Sequence, residues 1–145
     1  MRIVFAFALS MLAAAPAIAQ QSGAWNVSCS AGACSASSTA RGAAPLSMKI
    51  ERGPVVTLEG GSFNPQGVLI FAFNGMQTTF VPVTTYLHDG GRRITIGPDE
   101  ISREIVHQGQ HAKQMTVSLP LTTGERKVDF DVDGFAAAAA KVTGR

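Results

Sequence analysis

Between positions 20 and 133 the chain alternates short apolar or β-branched runs with glycine, proline and asparagine. The runs include Val55-Val56-Thr57-Leu58, Val68-Leu69-Ile70-Phe71-Ala72-Phe73, Thr78-Thr79-Phe80-Val81 and Met115-Thr116-Val117-Ser118-Leu119. Such side chains suit a pleated, half-buried surface. The breaks fall at Gly42, Gly53-Pro54, Gly60-Gly61, Asn64-Pro65, Asn74-Gly75, Gly90-Gly91, Gly97-Pro98, Gly109 and Gly124. Turn signals at intervals of about eight to twelve residues predict about eight to ten short strands in an all-β architecture. Asn74-Gly75 is the strongest hairpin signal, because a two-residue type I′ turn needs positive φ at both central positions. It predicts antiparallel strands over 67–73 and 76–82.

One helix is predicted, at the C-terminus, where Asp133 is placed as the cap of Gly134-Phe135 and the alanines 136–140. Phe135, Ala138 or Ala139, and Val142 share a face at helical spacing, so this helix should dock on the sheets. Residues 98–106 admit two readings: Pro98 opens a helical turn, or Ile101, Arg103 and Ile105 line one strand face. The strand reading, with a turn before it, is preferred. The fold class is therefore mostly β, an antiparallel β-sandwich or flattened barrel with a short C-terminal helix.

The first residues follow a different pattern. Met1 and Arg2 precede an apolar stretch over 3–15, and Pro16-Ala17-Ile18-Ala19 ends in small residues before Gln20. This is the form of a secretory signal peptide cut after Ala19, too short in its apolar part for the roughly 20 residues of a membrane span. The first cysteine, Cys29, stands too far downstream for lipid attachment. The expected division is a cleaved segment 1–19 and a single exported β domain 20–145, placed in the periplasm or secreted, with no membrane insertion after cleavage. Removing 19 of 145 residues leaves 126, and losing Arg2 leaves 11 basic against 10 acidic residues, a net charge of +1. So even a balance argues against nucleic acid as a partner, since phosphate binding needs a clustered basic face.

Export gives the two cysteines a meaning. Cys29 and Cys34 flank Ser30-Ala31-Gly32-Ala33, a link of hairpin length, and an oxidising compartment lets them pair. The bridge should act as a local staple worth about 2 kcal/mol. Redox chemistry is disfavoured, because the spacing is not C-x-x-C and no nearby cation lowers a thiol pKa. Two thiols alone also fall short of a metal site.

Other strings carry weaker chemistry. Asp129, Asp131 and Asp133, followed by Gly134, have the D-x-D-x-D-G spacing that opens a calcium loop, but Ala140 stands where the bidentate glutamate belongs. An amphipathic strand with Phe130 and Val132 inward and the aspartates solvated, followed by a capped helix, is the preferred reading, so no metal or other cofactor is assigned. His107 and His111 would reach a transition metal together if the backbone allowed it, yet two imidazoles are short of a closed site and a polar turn about Gly109 explains them. His88-Asp89 reads as a polar hairpin tip. Ser62 lacks a G-x-S-x-G setting, so no catalytic residue is assigned. Arg92-Arg93, as neighbours on one strand, should point to opposite faces. Asn26-Val27-Ser28 matches a glycosylation triplet but falls on a strand expected to face the core.

Trp25-Asn26-Val27-Ser28-Cys29 with Cys34-Ser35-Ala36, and Val128-Asp129-Phe130-Asp131-Val132-Asp133-Gly134-Phe135 before an alanine run, resemble the two ends of the invasion-associated locus B family of exported bacterial proteins. Many members carry a second cysteine pair, which this chain lacks. The resemblance implies a β-sandwich-like exported domain, linked in some pathogens to host-cell entry, and supplies no catalytic residues. Trp25, Gly134 and Phe135 are the structural anchors it suggests. The function expected is that of a non-enzymatic bacterial envelope or surface protein binding another macromolecule through loops 60–66 and 88–93. The alternatives are a periplasmic inhibitor of a cell-wall hydrolase and a calcium-dependent module using Asp129, Asp131 and Asp133.

Overall fold

A computed structural model describes residues 18–144, so nearly all of the proposed signal segment lies outside the described residues. The strands are β1 (Ile18–Ser22), β2 (Trp25–Ser30), β3 (Ala33–Thr39), β4 (Ser47–Glu51), β5 (Val55–Glu59), β6 (Val68–Phe73), β7 (Met76–Pro82), β8 (Leu87–His88), β9 (Arg93–Ile96), β10 (Met115–Leu121) and β11 (Gly124–Phe130). The helices are α1 (Val83–Tyr86), α2 (Glu100–His111) and α3 (Phe135–Thr143). The strands form a seven-stranded sheet, β1-β2-β3-β4-β5-β9-β8, and a four-stranded sheet, β11-β10-β6-β7. All pairings are antiparallel and neither sheet closes on itself, so of the two expected forms the sandwich is the one adopted. Eleven strands exceed the expected number because β1 and the two-residue β8 carry no apolar run of their own.

Alternation explains the larger sheet. Trp25 and Val27, Met48 and Ile50, and Ile94 and Ile96 point inward, while their neighbours reach the surface or its edge. Asn26 and Ser28 are therefore exposed, on the opposite face of β2 from the buried pair. Leu69, Phe71, Val81, Met115, Val117 and Phe130 supply the smaller sheet's share of the same core. β1 pairs with β2 from Ile18↔Cys29 to Ser22↔Trp25, so a cut after Ala19 removes two of its five paired positions.

The Asn74-Gly75 hairpin forms as expected, with φ of 54° and 79° and strand ends within a residue of those predicted. Cys29 and Cys34 form the disulfide and lie directly opposite each other, Cα atoms 4.0 Å apart. The link between the strands is tighter than expected. β2 and β3 continue past the bridge to Ser30 and Ala33, leaving Ala31 and Gly32 as a two-residue turn.

Residues 98–106 correct the strand reading. The Asp99 carboxylate accepts the Ser102 N–H at 2.9 Å, and Ser102 Oγ accepts the Asp99 N–H at 3.0 Å, a reciprocal cap that opens α2. Ser102, Ile105, Val106 and Gly109 then form the buried stripe, a helical spacing that strand alternation cannot produce. The polar turn expected about Gly109 is likewise the last part of α2. Gly109 is buried where the two helices meet, and a Cβ there would lie 2.5 Å from Phe135 Cε1.

The C-terminal helix begins one residue later than its expected cap implies. Gly134, with φ of 80°, is the residue before α3, and no side chain caps it. Asp133 is held elsewhere: its N–H donates to Asp131 Oδ1 at 3.0 Å and its carbonyl accepts the Ala24 N–H at 3.1 Å. The expected inward face of Phe135, Ala138, Ala139 and Val142 is buried. α3 lies against β2, β3 and β4, and α2 reaches from α3 to β6 and β7.

Candidate functional site

The nominated anchors come together. Trp25 and Phe135 are fully buried with rings edge to face, centroids 5.0 Å apart, and Trp25 Nε1 donates to the Asp131 carbonyl at 2.7 Å. This ties β2 to the segment that enters α3. It is a packed region in which the indole N–H is satisfied.

The three aspartates do not converge. Asp129 accepts the Thr116 hydroxyl at 2.6 Å, and Asp131 pairs with Arg41 at 3.1 Å. The Asp133 N–H bond, opposed by some burial and aided by Arg41, holds the Asp131 carboxyl below the usual carboxylate range. Among the described residues no group of three or more histidine, cysteine or acidic side chains is arranged around a metal position.

The two nominated loops do meet. Phe63 N–H donates to the Gly91 carbonyl at 2.8 Å, and Glu59, Gly60, Gly61, Ser62, Asp89, Arg92 and Arg93 line a cleft of about 810 Å³. Here the expectation for the arginines is corrected. Arg92 closes a single 3-10 turn at Asp89–Gly91 and β9 begins only at Arg93, so strand alternation does not separate them. Arg93 pairs with Asp89 at 3.1 Å, and its buried Nε has no hydrogen-bond partner among the described residues. Of the residues weighed for hydrolase chemistry, Ser62 and Asp89 are among the walls of this cleft.

A second feature was not legible beforehand. Among the described residues the exposed large hydrophobic ones, Val68 at 46%, Met76 at 69% and Phe80 at 54%, all sit on the β6–β7 hairpin. Val68 faces Pro82 and Ile70 faces Phe80 across it, and β7 is the outer strand of its sheet. β6 is apolar at every position, which reads as burial on both faces. The alternation in β7 was the available signal: if Thr79 and Val81 point inward, Phe80 points out.

Tyr86 and Asp99 connect the hairpin side to α2. The Tyr86 hydroxyl donates to Asp99 Oδ2 at 2.7 Å, and that bond, with burial and the carboxylate charge, raises the phenol pKa. Burial pushes Asp99 up, but bonds from the Ser102 N–H, the Tyr86 hydroxyl and Ser102 Oγ outweigh it and hold the carboxyl below its ordinary value.

His107 and His111 lie on the exposed side of α2 with ring centroids 4.8 Å apart. His107 also borders a second cavity of about 580 Å³, with Arg52, Arg103, Gln110 and Thr143 among its walls. Among the described residues no helix is long and apolar enough to cross a membrane. Comparison with known proteins finds no matching family model, no matching curated protein and no matching solved structure.

Proposed function

We propose that this chain is a non-enzymatic exported envelope or surface protein of the invasion-associated locus B type that binds another macromolecule. The observation that carries the reading is the exposure of Val68 and Phe80 on the outer face of the β6–β7 hairpin, with Met76 exposed near its turn, at a sheet edge. Exposed methionine and aromatic side chains are enriched at protein interfaces, and leaving them in water is unfavourable unless something covers them. Loop 60–66 runs on through Gly67 into β6, and the Phe63 N–H bond to the Gly91 carbonyl joins it to loop 88–93. The Cys29–Cys34 bridge suits an exported protein.

The test is capture from a cell-envelope extract by the oxidised protein and by its Val68→Ser/Phe80→Ser variant. A partner retained by the native protein and released at least about ten-fold more readily by the variant supports the reading, as expected for a contact centred on an aromatic residue. Equal retention by both removes the hairpin as the interface, and no retained partner counts against the binding reading itself. The cleft favours a second reading. Its charged walls on two hydrogen-bonded loops offer polar contacts to a hydrolase surface, so inhibition of cell-wall hydrolysis that is lost in Arg92→Glu would favour the inhibitor.

A further inference from the structure

We propose that His107 and His111 form an exchangeable two-imidazole site for a divalent late first-row transition metal, with copper(II) held most tightly. The site rests on α2 rather than on the β6–β7 hairpin, so it stands or falls apart from the binding reading above.

The helix supplies the geometry. Residues four apart in a helix lie above one another on one face, the spacing by which helical histidine pairs chelate metals. Here the two rings are exposed, with centroids 4.8 Å apart. A second observation concerns the proton. His111 Nδ1 lies 2.9 Å from the His107 carbonyl oxygen. A carbonyl can only accept, so this bond puts the hydrogen on Nδ1, and in the neutral ring Nε2 then keeps its lone pair. A backbone carbonyl bonded to the non-ligating nitrogen is the support that metal-bound imidazoles generally have, because it sets both tautomer and ring orientation. This support exists here before any metal arrives.

The donor set selects the class of ion. Neutral imidazole suits copper, nickel and zinc, whereas calcium and magnesium require oxygen ligands, and the order of divalent affinities places copper(II) first. With two protein ligands the remaining positions belong to water or a small anion, which makes the site exchangeable rather than structural. The neighbouring charges moderate it. Arg103 lies one turn before His107, and Arg52 borders the same cavity from the β4–β5 turn. Both oppose a bound cation and favour an anion in its open positions. Glu104, the nearest carboxylate in sequence on this helix, accepts the Gln108 side chain at 2.8 Å.

The experiment titrates the oxidised protein with copper(II) chloride against a glycine competitor, followed by visible absorption and by electron paramagnetic resonance. One ion per chain is expected, bound through nitrogen and removed by EDTA, with zinc weaker. His107→Ala and His111→Ala should each lower the affinity by about ten-fold or more, while His88→Ala leaves it unchanged. Substoichiometric copper should also broaden the ring proton signals of His107 and His111 before those of His88 in the native protein, a readout that needs no variant. Copper affinity surviving in the double alanine variant, dependence on His88, or uniform broadening of all three histidines would overturn the proposal.

Discussion

The molecule treats its aromatic residues in two ways. Around Trp25 and Phe135 the rings are fully enclosed, the indole N–H has a carbonyl partner, and Gly109 lets α2 approach within contact of the phenyl ring. On the β6–β7 hairpin Phe80 is more than half exposed, opposite Ile70 on the outer face of an edge pair. The residue type is the same, but one set is packed inside the fold and the other is left exposed. Hydrophobicity alone does not separate these roles. What separates them is whether another element of the chain covers the face.

The comparison can be tested through stability, starting at the enclosed region. Phe135→Ala should lower the unfolding free energy by about 3–5 kcal/mol, the usual cost of emptying a packed aromatic site, measured by denaturant titration. A loss near zero would mean that the enclosed cluster does not differ from the exposed face. Replacing both cysteines by serine should cost about 2 kcal/mol in the same measurement, because the bridge closes a short loop on the strand that carries Trp25.

Next comes the contact that joins the two regions. Asp99→Ala should cost about 1 kcal/mol through loss of the α2 cap. The pH dependence has a definite sign. Asp99 titrates below its ordinary value in the folded state, so its contribution is complete above the unfolded carboxylate pKa near 4 and disappears as pH falls through the lower folded value. Tyr86 is shifted upward, so its contribution is complete below the unfolded phenol pKa near 10 and is lost as pH rises through the raised folded value. Tyr86→Phe should therefore flatten the alkaline decline and weaken the acid one, as read from unfolding free energies across the pH range. The smallest effect is expected at the open face, where Phe80→Ser should change stability by about 0.5 kcal/mol or less. A loss comparable to that of Phe135→Ala would show that the hairpin face is covered after all.

Local signals were readable where one or two residues control the outcome. Asn74-Gly75 specified its hairpin because few residues accept positive φ in succession, and Cys29 and Cys34 were placed opposite each other by a short link. α2 was misread because Ile101, Arg103 and Ile105 fit strand alternation, while the deciding feature, the Asp99 and Ser102 cap, involves no apolar residue. The same error concealed the histidine pair, since a turn about Gly109 does not hold two rings on one face. Asp133 was chosen as a cap for its chemistry, but the Asp131 turn and the Ala24 N–H claimed its backbone first.

The amino-acid order by itself determined the mostly β character, the hairpin at Asn74-Gly75 and the inward face of α3, because these depend on φ preferences and periodicity within a few residues. Tertiary structure alone decided that loops 60–66 and 88–93 share a cleft, that Arg92 and Arg93 line it together, and that Phe80 remains open while Phe135 is enclosed. Those outcomes depend on which distant segments cover a given face, and the energy of covering belongs to pairs of surfaces rather than to any single run of residues.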